Sequence, residues 1–92
     1  MSQRRTVFFL SDGTGITAQM LGHSLLTQFE GVEFVQVTLP FVDSVEKAEE
    51  CIARIEAEGR NGQGQPVVFS TLVNQELRAV VRRANALFLD FF

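Results

Sequence analysis

The stretch VFFLSDGTGITAQMLGHSLL, residues 7–26, decides the fold. An unbroken apolar run, Val7-Phe8-Phe9-Leu10, stops at Ser11-Asp12-Gly13-Thr14-Gly15, and a helical pattern begins at Ile16. A strand that alternates apolar and polar residues buries one face, whereas a strand that is apolar throughout is buried on both, as in a parallel sheet covered by helices. Residues 6–10 are therefore predicted to be a strand buried on both faces, and residues 16–29 the helix that follows it. On a helical wheel Ala18, Leu21, Gly22, Leu25 and Phe29 share the face expected to meet the sheet. Gly22 weakens the helix intrinsically but lets it approach closely.

Working outward, Gly31 ends that helix, and residues 32–39 read as a second strand stopped by Pro40. Asp43 and Glu46 have the spacing of a capping box for a helix to about Glu58. Its apolar stripe is Val45, Ala48, Ile52 and Ile55, and Gly59 is its expected stop. Residues 60–65 read as a polar loop and residues 66–70 as a third strand. Asn74 is placed to cap a third helix carrying Leu77, Val80, Val81 and Ala84, and residues 86–91 read as a fourth strand. The order β-α-β-α-β-α-β defines an α/β fold, a parallel sheet of about four strands in a three-layer sandwich with right-handed crossovers. Sheet orders 2-1-3-4 and 3-2-1-4 both fit this string of elements. The terminal LFLDFF is an apolar strand with no helix after it to cover it. Residues 1–92 are thus expected to be an N-terminal domain or part-domain of a longer α/β protein, truncated at the C-terminus.

Composition narrows the function. A chain of 92 residues that is 46% hydrophobic suits one globular domain rather than a disordered tail. A net charge of −3 gives no electrostatic case for nucleic acid. The single cysteine, Cys51, forms no internal disulfide and points to a cytoplasmic chain; its place beside an apolar stripe reads as packing. One cysteine and one histidine make no zinc site. Arg4-Arg5 precedes an apolar run too short for a signal peptide, and no stretch is long enough to span a membrane.

In open parallel sheets, ligands bind beyond the carboxyl ends of the strands. The residues expected there are Ser11 and Asp12, Thr38, Ser70 and Thr71, and Asp90. Ser11, Asp12, Gly13, Thr14 and Gly15 form a tight strand-to-helix turn. Two readings fit it. Backbone N–H groups at the start of the helix can receive a phosphate, or Thr14 or Asp12 simply caps the helix while the glycines fit the turn. The turn matches neither common glycine-rich nucleotide pattern and lacks a lysine, so spacing alone favours the cap. Asp12 is the candidate for a catalytic group, and Asp12 or Asp90 could help orient a magnesium ion or an attacking hydroxyl, although oxygen ligands alone do not make a nucleotide site. His23 lies opposite the expected core stripe, with Ile16 and Met20, and reads as an exposed or interface residue. Arg78, Arg82 and Arg83, placed on the third helix, read as a solvated face, with phosphate or carboxylate contact as the rival reading.

At this point a family resemblance emerges. Phe8 to Ala48, with the phrases SDGTGITA, GHSLLTQF and VTLPFVD, resembles the N-terminal region of the bacterial phosphoenolpyruvate synthase regulatory proteins, also called pyruvate, water dikinase regulatory proteins. PVVFSTLVNQELR continues the likeness. The resemblance implies a bifunctional enzyme: an ADP-dependent serine/threonine kinase and a phosphate-dependent phosphorylase that releases pyrophosphate, acting on a threonine of phosphoenolpyruvate synthase. It implies ADP and inorganic phosphate as ligands of the full-length proteins. Their Gly-Lys-Thr nucleotide loop lies well downstream; no Gly-Lys-Thr occurs here, and Lys47 is the only lysine. No cofactor is therefore expected to bind these residues tightly, and they are expected to be inactive alone. A second reading is a non-catalytic segment that recognises the dikinase or braces the missing nucleotide domain.

Overall fold

The computed structural model describes residues 3–61 and 65–90. In chain order the elements are β1 (Gln3–Leu10), α1 (Ile16–Leu26), β2 (Val32–Leu39), α2 (Val45–Asn61), β3 (Val67–Ser70), α3 (Gln75–Val81) and β4 (Leu87–Asp90). All three strand pairings are parallel, and the sheet order is β2-β1-β3-β4. That settles the choice between the two orders the sequence allows. The two central strands are the continuously apolar ones: Val7, Phe8, Phe9, Leu10, Val67, Val68 and Phe69 are all buried. The edge strand β2 is more open, with Glu33, Val35 and Gln36 exposed.

The sheet divides the interior into two cores. On one side α2 and α3 cover Phe8, Leu10 and Val68 through Ala48, Ile55, Leu77 and Val81. On the other, α1 covers Val7, Phe9, Val67 and Phe69 through Ala18 and Leu26. These are the three layers. Cys51 is buried in the α2 core, as its packing role requires. Burial, together with Glu50 nearby, raises its thiol above the ordinary value against the lowering pull of Arg54. A raised value depletes the thiolate, the reactive form. Cys51 should thus resist a disulfide reagent at neutral pH in the folded chain and react promptly in urea; fast labelling without denaturant would contradict this packing.

Several boundaries move. β1 begins at Gln3 rather than Thr6, because β2 offers it a partner along its whole length, from Gln3↔Val32 to Leu10↔Leu39. α1 stops at Leu26 rather than Phe29, and its buried face is Ala18, Gly22 and Leu26. Leu21, Leu25 and Phe29, expected in the core, are exposed. The contact line is a single ridge at i, i+4, i+8, narrower than the stripe read from the wheel. α2 is capped by Ser44, whose Oγ accepts from the Lys47 N–H at 3.2 Å, and not by Asp43, which pairs instead with Lys47 at 3.2 Å. Gly59 does not stop α2; the helix continues to Asn61, and the Gly59 Cα faces the Pro66 ring. β3 starts at Val67, one residue after Pro66. β4 spans Leu87–Asp90, and the expected extension to Phe91 falls outside the described residues.

Asn74 caps α3 as expected, its Oδ1 accepting from the Leu77 N–H at 3.0 Å. Asn74→Ala should lower stability by about 1 kcal/mol, read as a shift in a urea unfolding midpoint, because an orphan donor of the first turn loses its acceptor.

Candidate functional site

The carboxyl ends of the strands bring the expected polar residues together. Register sets Leu10 beside both Leu39 and Ser70, and Ser70 beside Asp90. The loops after β1, β2 and β3 are then laced by backbone hydrogen bonds. The Ser11 N–H donates to Leu39 O (3.3 Å), Phe41 to Gly13 O (2.8 Å), Val42 to Ser11 O (2.9 Å) and Thr71 to Leu10 O (3.0 Å).

This lacing decides which side chains are open for chemistry. Ser11, Ser70 and Thr71 are buried. Ser11 Oγ accepts from the Gly13 N–H at 3.0 Å, and Ser70 Oγ from the Leu72 N–H at 3.2 Å. The Thr71 hydroxyl donates to Leu10 O at 3.3 Å. The two serine hydroxyls close turns, and the Thr71 hydroxyl ties the loop after β3 to the end of β1. Asp12 and Thr14 are exposed, and they are the side chains of the first loop that face solvent. Thr38 lies within β2, one residue before its end, and its methyl sits under Gly15.

The expected side-chain cap of α1 is absent. The N-cap is Gly15 itself, at φ 87° and ψ 1°, and no side chain accepts from the first turn. Neither Thr14 nor Asp12 fills that role. The left-handed conformation suits glycine, and a Cβ there would meet the Thr38 methyl at 2.8 Å. The N–H groups that begin α1 are thus left without a side-chain acceptor, at the end of the helix whose dipole favours an anion.

Other candidates lie elsewhere. His23 sits in the last turn of α1 and is exposed. Eight residues from the N-cap place it roughly 12 Å down the helix axis from the loop, on the amino side of the sheet. Arg82 and Arg83 follow α3 rather than lying on it: Arg82 is the C-cap, and Arg83 reaches Glu49 at 3.6 Å and the Val80 carbonyl at 3.3 Å. α3 also runs back from the carboxyl edge, so these arginines are directed away from the loop. Among the described residues no group of three histidine, cysteine or acidic side chains could hold a metal ion, and no helix is long and apolar enough to cross a membrane.

Sequence reasoning overlooked Phe41. It has φ 58°, the only described non-glycine residue in that region, and its ring is half exposed. The left-handed region costs a residue with a Cβ about 1–2 kcal/mol. Its N–H bond to Gly13 and that of Val42 to Ser11 hold it there. The signal available was an aromatic residue directly after the proline that ends a strand.

The fold and this edge define a class: a parallel α/β unit with a glycine turn at the carboxyl end of its first strand. The sequence comparisons make that particular. The sequence model of the Kinase/pyrophosphorylase family matches residues 7–92, and the chain belongs to that family. A protein of Alcanivorax borkumensis is 56% identical over 89 residues, 97% of this chain and 33% of its own length. One of Hahella chejuensis is 51% identical over 89 residues, covering 97% of this chain and 33% of its own length. One of Pseudomonas aeruginosa is 45% identical over all 92 residues, 34% of its length. Each carries the provisional name phosphoenolpyruvate synthase regulatory protein. The chain therefore spans about a third of the length of the curated relatives it matches.

The residues present do not fit a nucleoside diphosphate. One common nucleotide loop clamps phosphates with a lysine at its end, and the other needs a G-x-G-x-x-G run that the turn at residues 11–15 lacks. The sole lysine, Lys47, lies on α2 with its Nζ 3.2 Å from Asp43. The uncapped start of α1 does fit the smaller demand of a single phosphoryl group.

Proposed function

We propose that this chain is the N-terminal part of a bifunctional enzyme, an ADP-dependent serine/threonine kinase and a phosphate-dependent, pyrophosphate-forming phosphorylase, which regulates phosphoenolpyruvate synthase through a threonine. Membership of the Kinase/pyrophosphorylase family over residues 7–92 carries the reading. The names of the relatives support the target. ADP binds in the remaining two thirds of the polypeptide, in a separate nucleotide domain, and these residues contribute the acceptor side of the reaction.

In that arrangement the turn Ser11-Asp12-Gly13-Thr14-Gly15 faces the phosphoryl group being moved. The first N–H groups of α1 and the Thr14 hydroxyl bind its oxygens. Asp12 orients the attacking hydroxyl of the target threonine in one direction and the incoming phosphate in the other. Phosphoryl transfer depends on such positioning and charge placement more than on covalent help from the protein. In a full-length polypeptide carrying this N-terminal sequence, Asp12→Ala should lower both reactions by about 100-fold while leaving the fold intact. Wild-type rates in that variant would remove Asp12 from the mechanism. The 92 residues alone should leave the threonine unmodified when incubated with ADP and phosphoenolpyruvate synthase; clear phosphorylation would overturn the placement of the nucleotide site elsewhere.

A second reading, recognition of the target protein, has its own observation. Ile16 and Met20 are 59% and 67% exposed on the first turns of α1, next to the loop. Apolar residues beside a reaction edge suit a protein substrate. Retention of phosphoenolpyruvate synthase by the immobilised chain, lost in Met20→Glu, supports it; no retention counts against it.

A further inference from the structure

The sheet face under α1 is only partly covered. α1 reaches β1 and β3 through Ala18, Gly22 and Leu26, and beyond Leu26 a groove of about 220 Å³ remains, lined by Arg5, Phe29, Phe34, Phe69, Leu87 and Leu89 among others. Leu87 and Leu89 pair in register with the buried Val67 and Phe69, yet they are 47% and 40% exposed. They belong to a part of the sheet face that α1 leaves uncovered.

Handedness says which helix this is. The chain steps from β1 to β2 in one direction with α1 on one face, then back across to β3 and on to β4 with α2 and α3 on the other. Right-handed crossovers require this correlation between direction and face. A further strand beyond β4 would be reached by a helix on the α2–α3 face again. A helix over the groove must lie on a connection that runs back towards β2, not on one that adds the next strand beyond β4. The relatives supply the length: the residues matched here are 33% of the Alcanivorax borkumensis protein, which leaves two thirds of its chain to provide that helix.

We propose that the groove is the seat of an amphipathic helix from the downstream part of the same polypeptide, carried on a connection that runs back towards β2 rather than on one that adds a strand beyond β4. The apolar stripe of this helix packs on Phe69, Leu87 and Leu89. A carboxylate on its flank meets Arg5, which makes no ion pair among the described residues. A tethered helix outcompetes a second copy of the chain because its effective concentration is about millimolar.

The test is carbene footprinting with mass-spectrometric readout on the intact Alcanivorax borkumensis relative, at the positions aligned with Leu87 and Leu89. Labelling there should fall to about a fifth or less of that in the urea-unfolded protein, and stay there on hundred-fold dilution, as a buried intramolecular contact requires. Cross-links from these positions should land on a helix outside the third of the relative that this chain matches. Labelling near half the unfolded level, matching the exposure seen here, would overturn the proposal. Protection that disappears on dilution would overturn it in favour of a second copy, and cross-links confined to the matched third of the chain would overturn the choice of occupant.

Discussion

Gly22→Ala should destabilise the chain by about 2 kcal/mol, although alanine is the better helix former by about 1 kcal/mol. The two effects oppose each other, and geometry decides between them. A Cβ on Gly22 would collide with Phe9 Cε1 and stand 2.9 Å from Cδ1 and 3.1 Å from Cζ. The ring has nowhere to go: Phe9 is fully buried, and its other contacts include Phe69, stacked with a centroid separation of 5.7 Å and an interplanar angle of 19°. Either α1 lifts off the sheet, opening a void over Val7 and Val67, or both rings leave their stack. Overpacking of this kind costs about 1–3 kcal/mol or more, and a chain this small has little surplus stability. Urea unfolding followed by circular dichroism measures the loss. Gly22→Ala combined with Phe9→Leu should be less destabilised than the sum of the two single changes, because each makes room for the other. A Gly22→Ala variant as stable as the parent would mean that α1 does not lie where Phe9 places it.

The same contact shows what the sequence makes legible. Gly22 on a helix face beside an all-apolar strand predicts close approach, and the approach is there. The class of fold follows from the apolar run at residues 7–10 and the alternation of strands and helices. The sheet order was open on topology alone, yet the composition of the strands contains the answer. Order 3-2-1-4 would make β2 a central strand and draw Glu33 and Gln36 away from water, which costs free energy for polar groups. Order 2-1-3-4 leaves them at an edge, where they are exposed. Helix faces were less legible. Leu21, Leu25 and Phe29 look like core residues because in a complete domain an apolar side chain near the sheet is usually covered. Here α1 touches the sheet along one ridge, and its flank borders the open groove.

At the candidate site, residue types were legible and their roles were not. Five hydroxyls and two carboxylates near the strand ends suggested a polar pocket. Hydrogen bonds inside the turns divide them: Ser11, Ser70 and Thr71 serve the backbone, while Asp12 and Thr14 remain outside. No spacing rule distinguishes a serine that closes a turn from one that meets a ligand, because both sit beside glycine at a strand end. The cap was misread for a related reason. Asp and Thr beside a helix start are good caps on average, but here Gly15 takes the N-cap position, and its left-handed backbone leaves the first turn without a side-chain acceptor.

That geometry makes Gly15→Ala the second large effect, and one that can be separated into parts. The substitution places a Cβ on a residue at φ 87°, which costs about 1–2 kcal/mol by itself. The same Cβ meets the Thr38 methyl at 2.8 Å, adding about 1–2 kcal/mol of overpacking at the junction of β2 and the loop. Thr38→Ser removes the methyl and keeps the hydroxyl, so the double variant should recover the second share and retain only the backbone cost. In a full-length polypeptide the two shares have different functional consequences. If the start of α1 binds the phosphoryl group through its N–H groups, relieving the clash restores their aim, and the phosphate-dependent reaction should return with stability in Gly15→Ala/Thr38→Ser. A double variant that recovers the clash's share of stability but not its reaction would show that the glycine is needed for room at the loop, where the Cβ itself would stand in the way of the transferred group.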